Sequence, residues 1–400
     1  MSVSPTTAAP TQVLLRIAPF TLVMFCAYLT VGMPLGALPL QVHDVLGFGN
    51  VTVGTVIGTQ SLATLLTRQF AGTLCDHKGA KFGVLLGGTL ATAASAIYLA
   101  STALPLGTYA SLAFLLAARV TSGIAESLLM TGALAWAIGA VGVQNTGKVM
   151  VWVGIGLYAA IAAGAPIGVE LMRPQGTVAG FAAVSLGMIV FSIVATIGGG
   201  VIAPVAPHAG ERLPFMKAVG QVAPAGAGLA LATIAFGALG AFAALDFQHQ
   251  GWPGAGFALT GFGVAYVSTR LGFGGWPDRF GGARVAAWSL IVECVGQVML
   301  WLAPQPEVAF AGTILTGVGY ALVFPSFGIE AVKRVPPASR GAALGAYVAF
   351  FDVGFGLAGP TTGFIAGTFG YPSVFAVGAL GAAAAILVAS RWRGGARASI

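Results

Sequence analysis

Two stretches lying 202 positions apart are spelled alike, and no other feature restricts the fold as strongly. The first reads Arg68-x3-Gly72-x3-Asp76-x2-Gly79, and the second reads Arg270-x3-Gly274-x3-Asp278-x2-Gly281. A threonine precedes each copy (Thr67 and Thr269), and each copy separates two long apolar segments. Further along, Gly123 matches Gly317, Gly147 matches Gly341 and Pro166 matches Pro360 at an offset of 194. An eight-residue length difference brings both offsets into one register. The chain reads as a duplicated bundle of apolar helices, and parallel repeats of that kind mark membrane transporters.

Composition identifies the medium. Charged residues are 7% of the chain, against about 25% in an ordinary soluble domain. Apolar residues reach 57% and glycines number 60, as expected where small residues let helices approach closely in lipid. A span takes about 20 residues, so 400 residues hold twelve spans when the loops are short. The polar and Pro/Gly breaks place them near 15–39, 51–71, 81–104, 108–140, 149–172, 178–203, 222–246, 255–273, 283–304, 308–331, 342–368 and 372–391. The expected fold is an all-α membrane protein of twelve transmembrane helices in two pseudo-symmetric six-helix bundles. The bundles cover 1–203 and 222–400, with a linker at 204–221 carrying His208, Glu211, Arg212 and Lys217.

Of the 18 Lys and Arg residues, 16 fall on one side of this arrangement. Arg173 falls on the other, and Arg119 lies within a span. The positive-inside rule therefore puts both termini and the linker in the cytoplasm. The net charge of +7 then expresses topology and attraction to anionic lipid, not nucleic-acid binding. The first apolar segment lacks a small-residue cleavage pattern and reads as a span. Cys26, Cys75 and Cys294 have neither metal nor disulfide spacing. Asn50-Val51-Thr52 matches a glycosylation acceptor but abuts a span, which favours a helix cap. His43, His77, His208 and His249 join no metal or nucleophile constellation, and no phosphate loop is present. An enzyme, a resident cofactor or metal, and direct use of ATP are not expected.

Gly72-x3-Asp76-x2-Gly79-x-Lys81 resembles the loop signature between the second and third helices of the major facilitator superfamily, and 270–284 resembles its second-half echo. Arg119-x-x-Ser122-Gly123 is similar to that superfamily's fourth-helix motif. Gly164-Ala165-Pro166-x-Gly168 is a loose version of its antiporter motif, with a cleaner copy at Gly359-Pro360-x-x-Gly363. The similarity runs the full length and looks nearest to the bacterial YhhS/YfcJ-like group, placed among arabinose and drug exporters. The resemblance implies a monomeric carrier of a small molecule with protons, in a bacterial cytoplasmic membrane. It also implies that the loop latches the cytoplasmic side, making Asp76 and Asp278 gating residues. A carboxylate there meets a helix N-terminus favourably, with Arg68 as a partner for Asp76. His77 departs from the pattern, where the second copy has Arg279.

Ionisable residues inside spans carry the functional information, because a charge at bilayer depth costs about 2.5–3.5 kcal/mol on insertion scales. Four stand out: Arg119 and Glu126 in the fourth span, Glu293 in the ninth and Asp352 in the eleventh. Arg119 and Glu126, seven apart, share a helix face with Gly123 between them. Asp352 aligns with Tyr158 in the other repeat, so this acid belongs to one half only. The resemblance puts Arg119, Glu126 and Asp352 on the translocation path, and Glu293 on a peripheral helix beside Gln297. Glu126 or Asp352 is expected to carry the proton, with Arg119 tuning the carboxylate or meeting an anionic cargo group. Tyr28, Gln60, Trp152, Tyr158, Tyr320 and Phe351 are expected as cavity lining. Paired interruptions at Pro166, Gly359, Pro360 and Gly363 point to helix bending or a binding region. The expected activity is proton-coupled antiport exporting a small organic molecule. Proton-coupled import is the alternative within transport, and a receptor or scaffold without flux is the alternative outside it.

Overall fold

Every segment expected as a span is helical, because continuous apolar runs in lipid satisfy their backbone groups only within a helix or a closed barrel. The computed structural model describes residues 10–142, 145–172, 178–205, 215–333, 335 and 340–395. His208, Glu211 and Arg212 of the expected linker, with Arg173, Arg334 and Arg397, lie outside them. The first half holds α1 (Pro10–Leu40), α2 (Asn50–Lys78), α3 (Ala80–Ala103), α4 (Thr108–Val141), α5 (Thr146–Met172) and α6 (Val178–Val201). The second holds α7 (Phe215–His249), α8 (Ala258–Phe273), the short α9 (Trp276–Phe280), α10 (Gly282–Trp301), α11 (Pro306–Val332), α12 (Arg340–Phe369) and α13 (Ser373–Gly395).

Ten of these helices are long and apolar enough to cross a membrane. The other two long helices miss that description for different reasons. α8 has 16 residues, about 24 Å of helix. α2 carries Thr55, Thr59, Gln60, Ser61, Thr64, Thr67 and Arg68 along its length. Both face the other half of the molecule, where polar groups have protein partners instead of lipid.

The duplicated spelling has a structural counterpart. Gly79 turns from α2 into α3 at φ 91°, and Gly281 turns from α9 into α10 at φ 86°, a region that favours glycine. The register holds in the packing as well. A Cβ on Gly123 would strike the Gln60 carbonyl, and one on Gly317 would strike the Phe262 carbonyl. Gln60 and Phe262 are themselves 202 apart. Lys81 does not join a latch here. Its Nζ donates to Gly200 O at 2.7 Å and Ile202 O at 2.8 Å, neutralising the carbonyl end of α6.

The halves meet along two symmetry-related pairs, α2 with α12 and α5 with α8. Backbones touch where side chains are absent: Gly54 on Gly359, Gly58 on Gly356 and Gly363 on Asn50. In the other pair, Gly263 abuts Ala162, Gly256 abuts Pro166, and Thr260 donates to Ala162 O at 2.8 Å. α5 and α12 run unbroken through Pro166 and Pro360, and Pro166, Gly359, Pro360 and Gly363 lie at inter-half crossings, where small residues and lost N–H groups permit close approach.

These crossings lie toward the face opposite the basic loops. On that face Gln248 Nε2 donates to Asp44 Oδ2 at 3.1 Å. Tyr371 Oη donates to Asn50 Oδ1 at 3.1 Å and lies 3.3 Å from His43 Nε2. Asn50 is therefore an inter-half acceptor, and the α2 N-cap is Gly49. Toward the basic face, a Cβ on Gly72 or Gly147 would meet nothing within 4 Å.

Closure of the opposite face depends on Gly54 having no side chain. Gly54→Val is expected to separate α2 from α12 there. Spin labels at Gly49→Cys and Gln250→Cys, with native cysteines replaced, should report a longer distance in Gly54→Val than in the parent.

Candidate functional site

Charged and polar groups from both sides of the crossings converge on a cavity between the halves. It has a volume of about 50 Å³ and is bordered by Tyr28, Arg68, Glu126, Tyr158, Tyr266, Arg270, Phe324, Phe351 and Asp352, among others. These residues come from α1, α2, α4, α5, α8, α11 and α12. Both halves thus supply it.

The strongest interaction in the cavity crosses from one half to the other. Arg68 Nη2 lies 2.6 Å from Asp352 Oδ2, and Nε donates to the same oxygen at 2.7 Å. Both side chains are almost wholly buried, at 6% and 2% exposure. Arg68 is therefore not a loop cation paired with Asp76. α2 continues for ten residues beyond it to Lys78, about 15 Å along the axis, so Arg68 sits well inside the bundle. Arg270 likewise lies within α8, 3% exposed. Two of the sixteen cations expected on the basic face are thus cavity residues.

Glu126 occupies the first half's wall. Gln60 Nε2 donates to its Oε2 at 2.7 Å, Tyr28 Oη donates to Oε1 at 3.3 Å, and Thr64 Oγ1 lies 3.4 Å from Oε2. A smaller cavity beside it is bordered by Tyr28, Thr30, Ser122 and Glu126. Arg119 does not reach either acid, which corrects its expected role. Its Nε donates to Val56 O at 3.0 Å and its Nη2 to Ile57 O at 2.6 Å. A guanidinium facing a helix flank finds backbone carbonyls as acceptors, and this one ties α4 to α2 behind the crossing with α12.

The side of the cavity formed by α5 and α8 is aromatic. Tyr158 of the first half stacks on Tyr266 of the second with centroids 3.7 Å apart. Tyr320, expected in the lining, is fully buried behind it and bonded to Thr233 Oγ1 at 3.0 Å. Trp152 packs against the core and is absent from the cavity border. Glu293 is fully buried on α10 against Gly319 of α11, and neither carboxylate oxygen has a hydrogen-bond partner among the described residues. Asp76 is half-buried near the end of α2, and Asp278 is exposed on α9.

Arg68, Tyr266, Arg270 and Phe324 border the cavity without having been expected there from the sequence. A signal existed for two of them. Phe70, Ala71, Leu74 and Cys75 continue the apolar pattern past Arg68, as Leu271 and Phe273 do more briefly past Arg270. No local pattern marks the others.

A helical bundle with an ion-paired, buried cavity at the interface of two repeats defines a membrane transporter. The sequence model of the Major Facilitator Superfamily matches residues 20–191 and 226–399, and the chain belongs to that superfamily. A relative from Burkholderia mallei (strain SAVP1), described as an uncharacterised MFS-type transporter, is 43% identical over 97% of this chain and 94% of its own length. One from Pseudomonas aeruginosa (strain LESB58), with the same description, is 43% identical over 92% of this chain and 90% of its own. Among solved structures, a D-xylose–proton symporter superposes with TM-score 0.74 at 13% identity, covering 95% of this chain and 97% of that one. A nucleoside transporter superposes with TM-score 0.72 at 13% identity, covering 94% and 99%. At that identity the likeness concerns the fold alone.

Removing one member of a buried ion pair costs about 3–5 kcal/mol, whereas replacing both by apolar groups is often neutral. Asp352→Leu is therefore expected to lower the thermal unfolding temperature strongly, and the double variant Arg68→Met/Asp352→Leu to regain most of that loss. Glu293→Met, which removes an unpartnered buried carboxyl, is expected to raise the unfolding temperature.

Proposed function

We propose that this protein is a proton-coupled antiporter that exports a small organic molecule by alternating access. In this reading it has twelve spans, with both termini in the cytoplasm of a bacterial cell, and it works as a monomer in the inner membrane. The observation that carries the proposal is the Arg68–Asp352 pair, a titratable bond joining the two halves at the edge of the cavity. Protonation of Asp352 removes the charge that holds Arg68 and frees the halves to rock. Deprotonation restores the bond. Glu126, bonded to Gln60 and Tyr28 on the first-half wall, is the second proton site. The crossings near Gly54 and Gly359 favour reading this conformation as open toward the cytoplasm. Asp76 and Asp278 then serve as parts of the latch that forms when the basic face closes. Resemblance to the YhhS/YfcJ-like exporters favours efflux.

The fold neighbours include carriers named for D-xylose with protons, nucleosides and organic anions, so fold does not choose the cargo. The aromatic wall and the paired charges favour an amphipathic molecule over a pure hydrocarbon.

The test is a flux assay in proteoliposomes, using compounds that stabilise the purified protein in a thermal-shift screen. The wild type is expected to move protons against the compound. In Asp352→Asn, proton movement should disappear while compound–compound exchange continues. Proton flux persisting in both Asp352→Asn and Glu126→Gln contradicts the carrier assignment. Protons moving with the compound contradict antiport.

A further inference from the structure

The two cavity arginines occupy the same position of the repeat, 202 residues apart, yet among the described residues only one is paired with a carboxylate. Arg68 has Asp352. At the offset of 194, the residue matching Asp352 is Tyr158, and the residue matching Glu126 is Tyr320. The half that would supply Arg270 with a carboxylate supplies a phenol instead.

Arg270 is nonetheless 3% exposed. Its Nε donates to Ala321 O at 3.0 Å, and its guanidinium carbon lies 5.1 Å from the Tyr266 ring centre and 6.0 Å from that of Phe324. The free end reaches across to the first half, where a Cβ on Gly154 would lie 2.8 Å from Nη1. An ion pair with a carboxylate is not among its described contacts. The other charged groups bordering the cavity are engaged: Arg68 with Asp352, and Glu126 with Gln60 and Tyr28. A guanidinium stays charged at any physiological pH, and burying it without an opposite charge is unfavourable. Carbonyl and ring contacts compensate only part of that.

We propose that Arg270 is the anion seat of the cavity, and that the cargo is an amphipathic organic monoanion, a carboxylate or sulfonate on an aromatic or similarly flat apolar body. The acid group takes the two Nη groups that Ala321 leaves free, a fork that suits a planar carboxylate. The apolar body lies along Tyr158, Tyr266, Phe324 and Phe351. Glu126, on the first-half wall, repels a second negative charge and so selects for monoanions. The proposal deepens the transport reading and rests on the cavity being its site.

Equilibrium binding to purified protein tests it, with radiolabelled 1-naphthoate as probe and benzenesulfonate, 1-naphthamide and 1-naphthylmethylammonium as competitors. Naphthoate should bind saturably, and the sulfonate alone should displace it. Affinity should fall about tenfold or more in Arg270→Gln, and less in Arg270→Lys, which keeps the charge. Gly154→Leu, which intrudes on the guanidinium without removing it, should also weaken binding. Should Arg270→Gln not fold, the Lys and Leu variants carry the comparison. The proposal is overturned by equal displacement by the amide, by undiminished affinity in a folded Arg270→Gln, or by no saturable naphthoate binding. Binding of the anion without flux in proteoliposomes contradicts the transport reading alone. Flux of a neutral compound without anion binding contradicts this inference alone.

Discussion

Attraction between two opposite charges held out of water organises this molecule. Arg68 and Asp352 are 284 residues apart in the chain and belong to different halves, so their bond is at once a tertiary contact and a constraint on motion. Water does not screen it, and its strength depends on the protonation of one oxygen-bearing group. A bond of that kind suits a joint that must hold and release. A purely apolar interface of the same area would hold without any dependence on protons.

The remaining architecture keeps that bond where it is. Glycines at 54, 58, 356 and 359 bring α2 and α12 into backbone contact, which aims Arg68 and Asp352 at each other further along the same two helices. Arg119 braces α2 from behind through the carbonyls of Val56 and Ile57. The symmetry-related pair α5 and α8 has the same small-residue crossing but ends in Tyr158, Tyr266 and Arg270. The duplicated fold thus gives a symmetric pair of small-residue crossings and an asymmetric cavity. One wall carries carboxylates and their donors, and the other carries rings and an arginine.

Much of this was legible in the chain. Apolar segments located the helices because the bilayer leaves the backbone no other solution, and the copied loop located the glycine turns at 79 and 281. Acids inside spans identified Glu126 and Asp352 for the cavity border, since such charges persist only where something meets them. Partners were not legible. Arg68 and Arg270 sit near the ends of apolar runs and resemble loop cations until the helices are seen to continue. Arg119 and Glu126 share a helix face, but their bonds are decided by what α2 presents to each: bare carbonyls at 56 and 57, and side-chain donors at 60 and 64. Tyr320 and Trp152 look like lining by position along the helix, yet Tyr320 is packed inside and Trp152 lies half-buried against the core away from the cavity border, which depends on how neighbouring helices rotate.

The most direct test of the central claim is the distance across the basic face, measured between spin labels at His77→Cys and Lys333→Cys by pulsed electron resonance. The comparison is the parent protein against Asp352→Asn, in which the Arg68 bond loses its charge permanently. The account predicts two distance populations in the parent, whose ratio shifts with pH, and a fixed ratio in Asp352→Asn. Identical, equally pH-dependent distributions in the two proteins would contradict it.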